Sequence, residues 1–126
     1  MGYVLLVEDD ELDVLAFRRA LRSMPTQYAL KVASTGEEAL ALLELAKLPS
    51  FILTDLNMPV MDGMELLTAL TAHPVWHEIP VVVFTTSAQP DERAACLRLR
   101  AADVLVKPLA YTDFVELIHD IMRRYA

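Results

Sequence analysis

Five short apolar runs, Tyr3 to Val7, Tyr28 to Ala33, Phe51 to Thr54, Val81 to Phe84 and Val104 to Val106, alternate with five amphipathic stretches along the chain. Several of the runs are apolar at successive positions, which is the pattern of a strand buried on both faces in a parallel sheet. Between them the period changes to that of a helix. Val14, Phe17 and Leu21 fall at i, i+3 and i+7; Ala39, Leu42, Leu43 and Ala46 repeat the pattern; Phe114, Leu117, Ile118, Ile121, Met122 and Tyr125 form the longest stripe. These stripes read as core. The first helix is expected over Glu11 to Ser23 with Asp10 as its N-cap, the third over Met64 to Ala72 and the fourth over Pro90 to Leu99. Thr35 with Glu38 has the spacing of a capping box, and Pro90 followed by Asp91 and Glu92 suits a first helical turn.

Strands alternating with helices over short connections imply an α/β fold, with a parallel sheet covered on both faces by right-handed crossovers. For five strands the expected order is 2-1-3-4-5, doubly wound. In that order strands 1 and 3 are neighbours while their following helices lie on opposite faces, and ligands bind in the crevice at this switch point.

Composition narrows the function classes. With 126 residues and 55% hydrophobic content the chain suits one domain over residues 1–126. A formal net charge of −7 works against nucleic-acid or anionic-membrane binding, which need clustered Lys and Arg. Cys96 is the only cysteine, which excludes an intrachain disulfide and fits a reducing compartment. Neither a signal-peptide pattern after Met1 nor an apolar run of membrane-spanning length appears, so a cytoplasmic location is expected.

Glu8, Asp9 and Asp10 follow the first strand, and Asp55 ends the third. The switch point would gather these carboxylates within a few ångströms. At about 5 Å and an effective dielectric of about 20, each like-charged pair costs on the order of 3 kcal/mol. A hard divalent cation such as Mg²⁺ would offset that repulsion and still leave positions for phosphate oxygens. Asp10 is better read as the N-cap, whereas Asp9 and Asp55 read as site residues. Thr85 follows the fourth strand and Lys107 the fifth, bringing a hydroxyl and an ammonium to the same edge. Pro108 suggests a tight turn after Lys107, with a cis bond as one form of it. His73, His77 and His119 are too scattered for a metal site, and Trp76 is expected to anchor the loop before the fourth strand.

With these residues in place the sequence resembles a two-component response regulator receiver domain, over essentially its whole length. The matching motifs are "LLVEDDE" from Leu5, "LTDLNMPVMDG" from Leu53, "PVVVFTTSA" from Pro80 and "VKPL" from Val106. The resemblance implies a flavodoxin-like receiver fold and Asp55 as phosphoacceptor for a sensor histidine kinase, in a Mg²⁺-dependent reaction. It implies Asp9, Asp55 and the Asn57 carbonyl as metal ligands, with Glu8 as the other member of the acidic pair. Thr85 resembles the phosphoryl-sensing hydroxyl and Lys107 the lysine that pairs with the phosphoryl group, while Pro59 and Gly63 match the turn after the acceptor. The segment "HPVWHEIPVVVFTTS", with no output domain in the chain, is similar to regulators paired with bacterial phytochrome kinases. Such a protein catalyses its own phosphorylation and slow dephosphorylation but is not a turnover enzyme. Two positions depart from the family pattern. Val104 stands three residues before Lys107, where Tyr or Phe is frequent, and Arg100 stands seven before it, where Gly is frequent.

Two alternatives compete with this expectation: a receiver-like docking module that is never phosphorylated, and an aspartate-nucleophile phosphatase. In the latter Asn57 replaces the second acid. For output, the charges suggest a homodimer through helix 4, strand 5 and helix 5. Asp113, Glu116 and Asp120 on helix 5 would face Arg93, Arg98 and Arg100 of a second copy, with Val104 adding apolar contact.

Overall fold

The computed structural model describes residues 2–45, 47–86 and 89–126. The sequence readings at Met1, at Ala46 in the second stripe and at Ser87-Ala88 in the fourth motif lie outside the described residues. Strands β1 (Tyr3–Val7), β2 (Ala29–Ala33), β3 (Phe51–Asp55), β4 (Val81–Thr85) and β5 (Asp103–Val106) form one sheet in the order β2-β1-β3-β4-β5. Every neighbouring pair is parallel. The helices between and after them are α1 (Glu11–Arg22), α2 (Gly36–Leu45), α3 (Gly63–Ala72), α4 (Pro90–Arg98) and α5 (Tyr111–Tyr125). This is the expected doubly wound arrangement, with boundaries shifted by a residue or so at each end.

Alternation along the central strands splits the core in two. Tyr3, Leu5 and Val7 of β1 and Ile52 of β3 pack with Leu43 of α2, Leu66, Leu67 and Leu70 of α3 and Cys96 of α4. Val4, Leu6, Phe51 and Leu53 point the other way, onto Phe17 and Leu21 of α1 and Ile118, Ile121 and Met122 of α5. The edge strand β2 is covered less well, and its Ala29 and Lys31 are exposed.

The starts of α1, α2 and α3 carry side-chain caps. Asp10 accepts from the amides of Leu12 at 2.8 Å and Asp13 at 3.4 Å, as its N-cap reading requires. The Thr35–Glu38 box is half formed: the Glu38 amide reaches Thr35 Oγ1 at 3.0 Å, while the Glu38 carboxylate takes the Ser34 hydroxyl at 2.9 Å. A complete capping box stands instead at Asp62 and Glu65, opening α3.

Among the described residues two non-glycine residues adopt positive φ, Val60 at 68° and Arg100 at 69°. The Met61 amide bonds the Pro59 carbonyl at 2.8 Å, which makes Val60 the centre of a tight γ-type turn. After α4 the Arg100 amide reaches Leu97 O and the Ala101 amide reaches Cys96 O, both at 3.0 Å. That pair of bonds is a Schellman motif with Arg100 in the position glycine usually fills. No cis peptide bond occurs among the described residues, so the turn at Lys107-Pro108 is made with a trans bond.

Between α3 and β4 a short 3₁₀ turn, Trp76–Glu78, closes the loop. The His73 ring stacks on Trp76 with centroids 3.8 Å apart, and its Nδ1 accepts from the amides of Val75 and Trp76. Trp76 packs against the α2–α4 core, as an anchor of this loop should.

Candidate functional site

The parallel ladder sets the site by ending several strands at one edge. Val7 is level with Thr54, and Asp55 with Phe84, so Glu8 and Asp55 emerge side by side. Thr85 is level with Val106, and the Lys107 amide bonds the Thr85 carbonyl at 2.8 Å, which brings the lysine to the same edge.

Glu8 is 4% exposed. Its Oε2 accepts from the amides of Asp9 at 3.1 Å and Asp10 at 3.4 Å, and its Oε1 accepts from Lys107 Nζ at 2.8 Å. Lys107 Nζ also lies 3.1 Å from Asp13 Oδ2 and 3.4 Å from Asp55 Oδ1. Burial pushes the Glu8 carboxyl up from 4.5 to about 7, against the pull of the Lys107 hydrogen bond; the Asp55 charge adds to the rise. For Lys107 burial works against the charge, yet the hydrogen bond and charge of Glu8, then Asp55 and Asp13, hold the ammonium above the ordinary lysine range. The two directions meet at one hydrogen bond. Lys107 is the firmer charge of the pair, because three carboxylates support it, and Glu8 is the member that takes up a proton as pH falls.

Glu8, Asp9 and Asp55 each bring one carboxylate oxygen within 4.8 Å of the others. These are hard anionic oxygens, and Asp9 is exposed to water while Glu8 is not. The set fits Mg²⁺, which keeps several waters and takes one or two carboxylates directly. Asn57 lies exposed in the loop after β3, and Thr85 is buried at the end of β4.

The loop that carries Asp55 onward is held closely. The Leu56 amide bonds Phe84 O and the Gly63 amide bonds Leu56 O, both at 2.8 Å. A Cβ on Gly63 would stand 2.6 Å from Asp55 O and 2.8 Å from Leu56 Cα, so only glycine lets α3 start this close to the end of β3.

Asp13 is the residue that sequence reasoning missed. Its signal was its place in the first turn of α1, three residues past the Asp10 cap, which turns it toward the strand ends. Val104 differs from expectation: it is buried beneath α4 and cannot supply surface contact, while Leu97, Val106 and Tyr111 are exposed on that side. Arg93 donates to the Val104 carbonyl and lies 3.9 Å from Asp103, so part of its charge is used within the molecule.

Comparison with known proteins gives the same architecture. The profile of the response regulator receiver domain matches residues 4–119. The transcriptional regulatory protein PrrA of Mycobacterium tuberculosis is 37% identical over 121 residues, which are 95% of this chain and 50% of PrrA. The chain thus spans about half the length of that relative. Response regulator Rcp1 of Synechocystis is 32% identical over 124 residues, covering 94% of this chain and 84% of Rcp1. Its Mn²⁺-bound crystal form superposes with a TM-score of 0.88 at 31% identity, over 96% of this chain and 91% of that one. The phosphorylated cyanobacterial phytochrome response regulator RcpA superposes with a TM-score of 0.92 at 28% identity, over 98% of this chain and 93% of that one.

Proposed function

The chain belongs to the response regulator receiver family, and from that premise we propose that Asp55 accepts a phosphoryl group from a phosphohistidine of a sensor histidine kinase. The observation that carries the reading is the convergence of Asp55 with the Glu8 and Asp9 carboxylates and the Lys107 ammonium at one sheet edge.

In the transfer an Asp55 carboxylate oxygen forms the new O–P bond while the P–N bond to the donor imidazole breaks, and the bonding pair leaves with that ring. Asp55 needs no dedicated base, since a carboxylate at neutral pH is already the nucleophile. Lys107 balances charge on the equatorial oxygens, and Thr85 offers its hydroxyl to one of them. Glu8, Asp9, Asp55 and the Asn57 carbonyl would hold Mg²⁺, which supplies further charge stabilisation to the phosphoryl oxygens when bound. The product adds about −1.5 to −2 of charge if it follows other phosphorylated side chains. One charged hydrogen bond is worth about 1.5 to 3 kcal/mol, and a near-complete switch needs about 5.5, so Lys107 and loop amides share the work with Thr85.

The protein on this reading is a stoichiometric acceptor and not a turnover enzyme. Likeness to Rcp1 and RcpA supports a phytochrome-type kinase as donor. A cytoplasmic location follows from that donor and from the single thiol. Association of two copies through α4, β5 and α5 is the output we favour, with Val106 and Leu97 in the apolar role.

Acetyl phosphate with Mg²⁺, followed by intact mass and tryptic mapping, tests the reading. One phosphoryl group is expected on Asp55, and none on Asp55→Asn, whose fold stays intact because an acidic repulsion is relieved. A phosphate on Thr86 or Ser87 with Asp55 unmodified would overturn it.

A further inference from the structure

Lys107 carries three N–H donors, and three carboxylates stand round its nitrogen: Glu8 at 2.8 Å, Asp13 at 3.1 Å and Asp55 at 3.4 Å. The proposed acceptor is the most distant of the three. Glu8 is buried and tied to two backbone amides, so it is fixed in place. Asp13 is different. Its side chain is 46% exposed, so water can replace the ammonium when Lys107 leaves. The small cavity beside the lysine is lined by Glu8 and Asp13 as well as by Leu6, Phe17, Phe84 and Phe114.

Resting on the phosphoacceptor reading of Asp55, we propose that Asp13 is a positioning residue: it holds Lys107 back from Asp55 in the unmodified protein and gives it up as phosphoryl oxygens arrive. Asp13 takes no part in the bond exchange. With acetyl phosphate the Asp55 O–P bond forms as the donor's P–O bond breaks and acetate departs with the bonding pair. An interaction present before the transfer and lost during it raises the barrier. Asp13 therefore slows phosphoryl acceptance, and its removal speeds it.

Phosphorylation time courses by intact mass, with acetyl phosphate and Mg²⁺, separate the outcomes. Wild type should gain one phosphoryl group on Asp55, and Asp13→Asn should gain it about two- to fivefold faster, the ratio that one partly exposed ion pair supports. Glu11 is exposed in the same turn and outside the Lys107 cluster, so Glu11→Gln removes the same unit of charge and should match wild type. In a Lys107→Ala background, Asp13→Asn should change nothing, which a purely structural role would not produce. Near-UV dichroism checks that each variant is folded. An unchanged rate in Asp13→Asn, an equal gain in Glu11→Gln, or a gain that persists without Lys107 would each overturn the role of Asp13. Wild type that takes no phosphoryl group on Asp55 would instead overturn the acceptor reading.

Discussion

At the scale of single residues, the proton on Glu8 and the charge on Lys107 are linked through a 2.8 Å contact in a buried place. The Glu8 carboxyl has a folded value of about 7 against an ordinary 4.5, so between those limits the folded chain holds a proton that the unfolded chain has released. Stability from this group is therefore greatest at low pH and is lost as pH rises through about 7. Lys107, raised from its ordinary value, contributes fully throughout that window. In EDTA the protein should melt higher at pH 5.5 than at pH 7.5, and Glu8→Gln should remove most of the difference; the same difference in the variant would contradict the assignment. Mg²⁺ should raise the melting temperature at pH 7.5, because it offsets carboxylate repulsion in the folded state alone, and Asp9→Ala should abolish the gain. A melting temperature equal in EDTA and in excess Mg²⁺ would rule out metal binding at Glu8, Asp9 and Asp55. Asp55, Thr85 and Lys107 were legible in the sequence because each closes or follows a short apolar run, and a parallel sheet brings such ends together. Asp13 was not: its place in the first turn of α1 turns it toward the strand ends, but nothing in the sequence tells which long side chain will reach it, here Lys107 just after β5.

At the scale of elements, local chemistry was read unevenly. The D-x-x-E spacing of Asp62 and Glu65 was as visible as that of Thr35 and Glu38, yet the former closes into a full box and the latter does not. What decides is a neighbour: the Ser34 hydroxyl engages the Glu38 carboxylate, and no periodicity argument contains that contact. Strand 5 posed a similar problem. Val104 and Val106 share a face, and only the placement of α4 shows that the first is covered and the second left open. Arg100 was marked by its departure from a frequent glycine, and its φ of 69° gives the reason for that preference. A non-glycine residue in the left-handed region is disfavoured by roughly 1 to 2 kcal/mol, part of which glycine returns as extra freedom in the unfolded chain. Arg100→Gly should accordingly stabilise by about 0.5 to 1 kcal/mol, seen as a melting temperature a few degrees higher; a lower one would show that the Arg100 side chain has contacts that matter more.

At the scale of the whole molecule, one sheet separates two unlike sets of helices. The α1 and α5 layer packs on β1 and β3 through Phe17, Ile118 and Met122. Layer α2, α3 and α4 lies on the opposite face. Among the described residues no helix is long and apolar enough to cross a membrane. The charges proposed for self-association are partly engaged within the chain: Arg93 and Arg124 both approach Asp103, and Asp120 lies 3.1 Å from Arg123. Arg98, Arg100, Asp113 and Glu116 are left to carry an isologous contact. Sedimentation with beryllofluoride should show a salt-sensitive dimer that Arg98→Glu weakens; a monomer at low and high salt would remove this interface. The loop at the far end of the sheet has its own bearing on such experiments. Trp76, the single tryptophan, lies against His73 before β4 begins, a strand of five residues and roughly 17 Å from the end that Thr85 marks. The protein's only indole is thus an optical probe stacked on an imidazole and a strand's length from the acidic edge: its emission will stay silent through metal or phosphoryl titrations, which need a label placed elsewhere.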